Sequence, residues 1–158
     1  MSERPSFYVD TSVWNYAVSP EVGGSHEATR EFFEHAMDRQ WVLNISELVE
    51  IEIGRTPGDK MGLMTDFLEG KAPRIFPITL EIRDLAFRYV EEKVVTSNHL
   101  NDALHVAAAS IDLCDFLVTW NFKHLANIRK ETGFLAVNAL SGYTRTLRVC
   151  TPLEVYEL

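Results

Sequence analysis

Short apolar runs that read as buried strands alternate along this chain with segments whose apolar residues recur every three or four positions. Residues 7–11 open the series as a strand, followed by a polar loop through Pro20, Gly23 and Gly24. Ser25 is placed to cap a helix over residues 27–38, with Ala28, Phe32, Phe33 and Ala36 as its apolar stripe. The second strand covers residues 41–45, and Ser46 caps a helix that carries Glu47, Glu50 and Glu52. Arg55-Thr56-Pro57-Gly58 breaks that helix, and residues 60–68 resume one. Next come a short strand at 74–78, a helix capped at Thr79 reaching about Val95, and an alanine-rich helix opened by Asp102. A strand at 115–119, a short helical segment from Phe122 and a last strand at 147–149 follow. Thr151-Pro152-Leu153-Glu154 starts a terminal turn or helix. This alternation predicts a three-layer α/β/α sandwich around a central, mainly parallel five-stranded sheet. The length suits one domain spanning 1–158.

Four acidic or amide residues then stand out by where they fall. Asp10 closes the first strand, Glu52 lies in the helix after the second, Asp102 opens its helix and Asn121 follows the fourth strand. In an open parallel sheet, residues at the carboxyl ends of the strands meet in one crevice however distant they are in sequence. Carboxylates brought together repel, and such a cluster ordinarily holds a hard cation, Mg²⁺ or Mn²⁺. Each residue also has a plainer role: Asp10 as a turn cap, Asp102 as a helix cap, Asn121 as a turn former. Glu47, Glu50 and Glu52 cannot all face one way on a helix, and Glu47, nearest the strand end, competes with Glu52 as a ligand. Thr11, Ser12 and Thr119 offer hydroxyls to orient the carboxylates. His105 reads as a polar edge residue, since hard cations prefer oxygen, and His124 as a local partner of Asn121.

Charge pulls the other way. The formal balance is −8, whereas proteins that hold nucleic acid mainly by neutralising phosphate are basic. Part of that balance is the carboxylate cluster itself, which a bound cation offsets. Two cysteines, Cys114 and Cys150, make neither a disulfide framework nor a zinc site and read as small buried hydrophobes. The Met-Ser-Glu-Arg-Pro start shows no signal peptide and no apolar run spans a membrane, which favours a cytoplasmic protein.

The chain resembles the PIN-domain ribonucleases, particularly VapC-like toxins of bacterial toxin–antitoxin pairs. The likeness rests on Tyr8-Val9-Asp10-Thr11-Ser12, on Ser46 with Glu52 six residues later, on Asn101-Asp102-Ala103-Leu104-His105, and on Val118-Thr119-Trp120-Asn121. It implies that Asp10, Glu52 and Asp102 are the metal-holding acids and favours Glu52 over Glu47. The fourth family position, commonly Asp, falls on Asn121, which implies weaker hold on a second ion and a role in placing water. The resemblance also implies hydrolysis of RNA phosphodiester bonds, a small antitoxin partner and a homodimer. Dimerisation is further expected from the aromatic residues Trp14, Tyr16, Phe32 and Phe33, read as surplus apolar surface.

Rival readings are weaker. A haloacid-dehalogenase-type hydrolase needs a second Asp two residues after the first, where this chain has Ser12. The serious alternative is a PIN-like scaffold, catalytically weakened at Asn121, that binds RNA or a protein partner.

Overall fold

A computed structural model describes residues 4 to 157, so the first three residues of the start read above lie outside it. Five parallel strands run β1 (Ser6–Val9), β2 (Val42–Ser46), β3 (Arg74–Phe76), β4 (Phe116–Val118) and β5 (Arg148–Cys150), in the order β3-β2-β1-β4-β5. Seven helices connect them among the described residues: α1 (Thr11–Ala17), α2 (Gly24–Asp38), α3 (Glu47–Gly54), α4 (Lys60–Lys71), α5 (Leu80–Glu91), α6 (Leu100–Ile111) and α7 (Ile128–Leu140). Helices α1, α2 and α4 pack together, as do α5, α6 and α7, giving the expected three layers. No helix among the described residues is long and apolar enough to cross a membrane.

Strand order fixes where chemistry can sit. The chain builds outward from β1 to β2 and β3, then returns to the other flank of β1 with β4 and β5. The order therefore reverses between β1 and β4, and at that reversal neighbouring connections part and leave a crevice at the carboxyl ends. Asp10 follows β1 there, and Thr119 follows β4.

Beneath the crevice the sheet is anchored by aromatic packing. Phe7, wholly buried in β1, stacks on Trp41 at 4.6 Å and on Phe116 at 5.0 Å. Truncating such a side chain costs about 3–5 kcal/mol, so the backbone bearing Asp10 is firmly held. Helix α6 lies close against this layer because its buried face is nearly all small residues. Ala103, Val106, Ala107, Ala108, Ala109 and Ser110 are buried. A polar contact ties its far end: Asn138 of α7 donates to Ser110 Oγ at 2.9 Å and accepts from the Tyr89 hydroxyl of α5. Cys114 and Cys150 are buried free thiols, each pushed up to about 12 by burial, and so behave as the small hydrophobes expected.

Four expectations need correcting. Helix α1 replaces the loop expected after Asp10, and the short helical segment expected from Phe122 is a run of turns, with the longer helix α7 starting only at Ile128. Ser25 does not cap α2, which begins at Gly24 after Gly23 in a positive-φ conformation (φ 65°). Finally, Trp14, Phe32 and Phe33 are buried and Tyr16 is half-buried against Trp120, so they are core rather than dimer surface. Exposed apolar side chains occur elsewhere, at Ile51, Met61, Leu63 and Ile75, on α3, α4 and the open edge of β3.

Candidate metal centre

Asp10 stands at the N-cap position of α1 with extended backbone, yet its side chain bonds no helix N–H. Its Oδ2 instead accepts from the Ser12 hydroxyl and from the Thr119 hydroxyl, each at 2.7 Å. Ser12 Oγ further accepts from Trp120 N at 3.0 Å, and Thr119 Oγ1 from Asn121 N at 3.0 Å. These bonds lock one carboxylate oxygen and the two strand ends together. The other oxygen, Oδ1, lies 3.5 Å from His105 Nε2. Asp10 itself is only 6 % exposed.

Glu52 reaches the same place from the second turn of α3, a helix started by Ser46, whose hydroxyl accepts from Leu48 N. Glu52 Oε1 accepts from the Thr11 hydroxyl and from His105 Nε2, both at 2.6 Å. Ligand atoms of Asp10, Glu52 and His105 all lie within 4.8 Å of one another. Glu47 points elsewhere: its Oε1 accepts from Ile78 N at 2.7 Å, tying α3 to the connection after β3. The helix register thus brings in Glu52 and leaves Glu47 a structural role.

His105 is not an edge residue. It is 1 % exposed, with its Nδ1 2.6 Å from the Tyr8 hydroxyl, which in turn is 2.8 Å from Ser46 Oγ. Burial raises the Tyr8 phenol well above its ordinary range, so the hydroxyl stays neutral and can take either hydrogen-bonding role. Burial pushes the His105 imidazole down, but the bond to Glu52 and the charges of Asp10, Glu52 and Asp102 outweigh it and raise the group. Burial likewise pushes Glu52 up, and the bond and charge of His105, with the Thr11 hydroxyl, outweigh it and hold the carboxylate low. The two shifts describe one buried ion pair. An imidazolium here donates through Nε2 to Glu52 and through Nδ1 to Tyr8, leaving no ring nitrogen unmatched.

Asp102 is the third residue of α6 rather than its cap, which is His99. Its Oδ2 takes a hydrogen bond from Asn121 Nδ2 at 3.3 Å and lies 3.6 Å from His99 Nδ1. The His99 ring stacks on His124, centroids 3.7 Å apart. Burial, followed by repulsion from Asp10, raises Asp102 despite the three nearby histidines. Asn121 presents its amide nitrogen to Asp102, while its oxygen accepts from His124 N at 3.0 Å. This oxygen braces the turn, and the donor faces the acid.

Asp10 and Glu52 therefore meet at the β1/β4 crevice with His105 as their counter-charge, while Asp102 lies outside the group of ligand atoms within 4.8 Å of one another, near enough to feel the charges of Asp10 and His105. The oxygen-rich donor set suits a hard divalent cation, with Asp10 Oδ1, Glu52 and Asp102 as the groups that would hold it. Residues missed from the sequence are Tyr8, Ser46 and His99, and His105 was misplaced. His105 is three residues after Asp102, hence on the same helix face, and Tyr8 is two before Asp10, hence on the same side of β1.

No family model and no curated protein matches the chain. Solved structures do. A chain of VapBC2 from Rickettsia felis, crystallised bound to a DNA fragment from their promoter, matches with a TM-score of 0.57 at 17% identity, over 92% of this chain and 98% of that one. VapC20 of Mycobacterium tuberculosis, a toxin that cleaves the Sarcin-Ricin loop, matches with a TM-score of 0.53 at 13% identity, over 70% and 86%. The fold is that of a VapC-like PIN domain.

Proposed function

We propose that the chain is a single PIN-like domain acting as a divalent-metal-dependent endoribonuclease, the toxin of a toxin–antitoxin pair. The observation that supports the reading is the meeting of Asp10, Glu52 and His105 from three separate elements, with Asp102 near enough to feel the charge of Asp10. Asp10 is fixed by two hydroxyls, and burial and the charge of Asp10 raise Asp102 despite the histidines near it. Structural reasons alone do not favour such a cluster, because each buried carboxylate costs desolvation and raises the cost of the next.

A bound Mg²⁺ or Mn²⁺ would lower the pKa of water and offset charge on phosphate oxygens. The chain's own groups do the rest. Ser12 and Thr119 hold Asp10 so that Oδ1 points into the crevice. Thr11 and His105 hold Glu52. Asn121 fixes the orientation of Asp102 through its amide N–H, which also sets a neutral donor where the family commonly has a fourth acid. That arrangement favours one ion over two.

The antitoxin partner and homodimer belong to the same reading. They draw on the likeness to VapBC2 and on the apolar residues Ile51, Met61, Leu63 and Ile75, beside a hollow of about 480 Å³ between α3, α4 and β3. Cleavage of a mixed RNA pool tests the activity. The wild type should cut with Mn²⁺ and stop with chelator, and Asp10→Asn should lose more than the ~10–100-fold that removing a mere supporting group costs. Normal cutting by Asp10→Asn, or by the wild type in chelator, would overturn the hydrolase reading in favour of a binding scaffold.

A further inference from the structure

Positive charge is scarce on this chain, yet it is concentrated beside the metal centre. A cleft of about 460 Å³ opens between the end of α5 and the segment that leads from Asn121 into α7. That volume is within the range of small-ligand pockets, about 300–1,000 Å³. Lys93, Lys123, Arg129 and Lys130 line it, with Glu92 the one acid among its lining residues. Lys130 is spoken for, donating to the Val94 carbonyl. Lys93, Lys123 and Arg129 form no ion pair among the described residues and are exposed. Three cations without an ion pair thus surround one hollow in a chain of net charge −8.

The cleft is linked to the metal centre through the residues between them. Lys123 is two residues from Asn121, and the His124 ring next to it stacks on His99, which touches Asp102. Slight burial, His99, Lys123 and Lys130 together hold His124 below its ordinary value, so the field of the cleft reaches the edge of the centre. Beside Lys123 stands Phe122, 56 % exposed, its carbonyl fixed by Asn127 Nδ2 at 2.8 Å. An exposed aromatic next to a groove of cations is the combination that holds single strands, by base stacking and phosphate contact together.

We propose that this cleft carries the single-stranded RNA on its way to the carboxylates, with Lys93, Lys123 and Arg129 on its phosphates and Phe122 against a base. The proposal rests on the ribonuclease reading for the identity of the anion, and it resolves the conflict between an acidic chain and a nucleic-acid substrate: the acids are at the centre, the cations along the approach.

Binding without cleavage tests it. A fluorescein-labelled, unstructured RNA oligonucleotide is titrated with the wild-type protein in chelator and followed by anisotropy from low to moderate salt. Lys123→Gln and Arg129→Gln should each weaken binding and flatten the plot of log K against log salt by about 0.7. Phe122→Ala should weaken binding roughly 5- to 150-fold with the slope unchanged. Arg39→Gln, exposed at the amino edge of the sheet before β2, should match the wild type. Thermal midpoints close to the wild type confirm that all these surface variants are folded. If the cleft variants bind RNA as the wild type does, or if Arg39→Gln loses as much, the proposal is overturned; unchanged RNA binding with lost binding of an acidic protein partner overturns it equally. A protein that binds RNA through these cations but cuts nothing with Mn²⁺ supports the cleft while removing the hydrolase reading.

Discussion

Asp10 and Asp102 stand at the same crevice under opposite conditions. Asp10 is buried and held by two hydroxyls, and beside it Glu52 is paired with His105. Asp102 is more open, takes one long hydrogen bond from Asn121 and feels the repulsion of Asp10. One half of the centre is organised and carries a buried counter-charge without any ion; in the other half Asp102 is raised by burial and by Asp10 despite the histidines near it. A site built this way has its geometry set in advance on one side, and on the other retains the electrostatic demand that draws a cation in.

Removing His105 should break this contrast most severely. His105→Gln leaves Glu52 and Asp10 without their counter-charge. Breaking a buried pair costs roughly 3–5 kcal/mol, and the lower end applies because Glu52 is partly open. Urea denaturation in chelator measures the loss, and a change under about 1 kcal/mol would mean that the pair is not balancing the cluster. The pH dependence has a definite sign. Glu52's contribution is complete above its ordinary 4.5 and fades as pH falls through its lowered folded value. His105's is complete below its ordinary 6.5 and fades as pH rises through its raised folded value. In chelator the wild type should therefore lose stability on the alkaline side, and His105→Gln should not show that decline.

Asp102→Asn should act the opposite way. A carboxyl raised in the fold takes stability away as pH climbs from 3.8 through its folded value. At neutral pH the variant should then be slightly more stable than the wild type in chelator, within about 1 kcal/mol, and should gain nothing from Mn²⁺. A variant that is less stable and still stabilised by Mn²⁺ would show Asp102 to be a structural residue.

The smallest effect is expected at Asn121. Asn121→Asp keeps the acceptor for His124 N but replaces the donor facing Asp102 by a charge. The ion-free protein should lose a little stability, and the midpoint gained on adding Mn²⁺ should grow because affinity rises. Thermal scans with and without Mn²⁺ read both, and an unchanged gain would place Asn121 outside the centre.

How much of this was legible in the sequence depended on whether a residue's local signal matched its role. The strands were readable because their apolar runs are continuous, and the acids because they follow those runs. Helix ends were less readable where the usual glycine is missing: α5 stops at Glu91, not near Val95, because Lys93 takes the positive-φ position (φ 60°) that glycine ordinarily marks. Helix α7 was hidden partly by Gly133, a residue that reads as a helix weakener. Space requires it, since a Cβ there would meet Val94 Cγ1 at 2.9 Å. Helix α1 was hidden because Asp10 gives its side chain to Ser12 and Thr119 instead of capping. His105 was misplaced for a similar reason: its partners Tyr8 and Glu52 are 97 and 53 residues away, and only the assembled fold brings them together.

On the proposed reading, Asp10, Glu52 and Asp102 form one cation site. Calorimetric titration of Mn²⁺ into the ion-free wild type and into Asp10→Asn tests it most directly. The wild type should bind one equivalent, and the variant should take up the ion at least about 10-fold more weakly. No uptake by the wild type, or equal uptake by both, would contradict it.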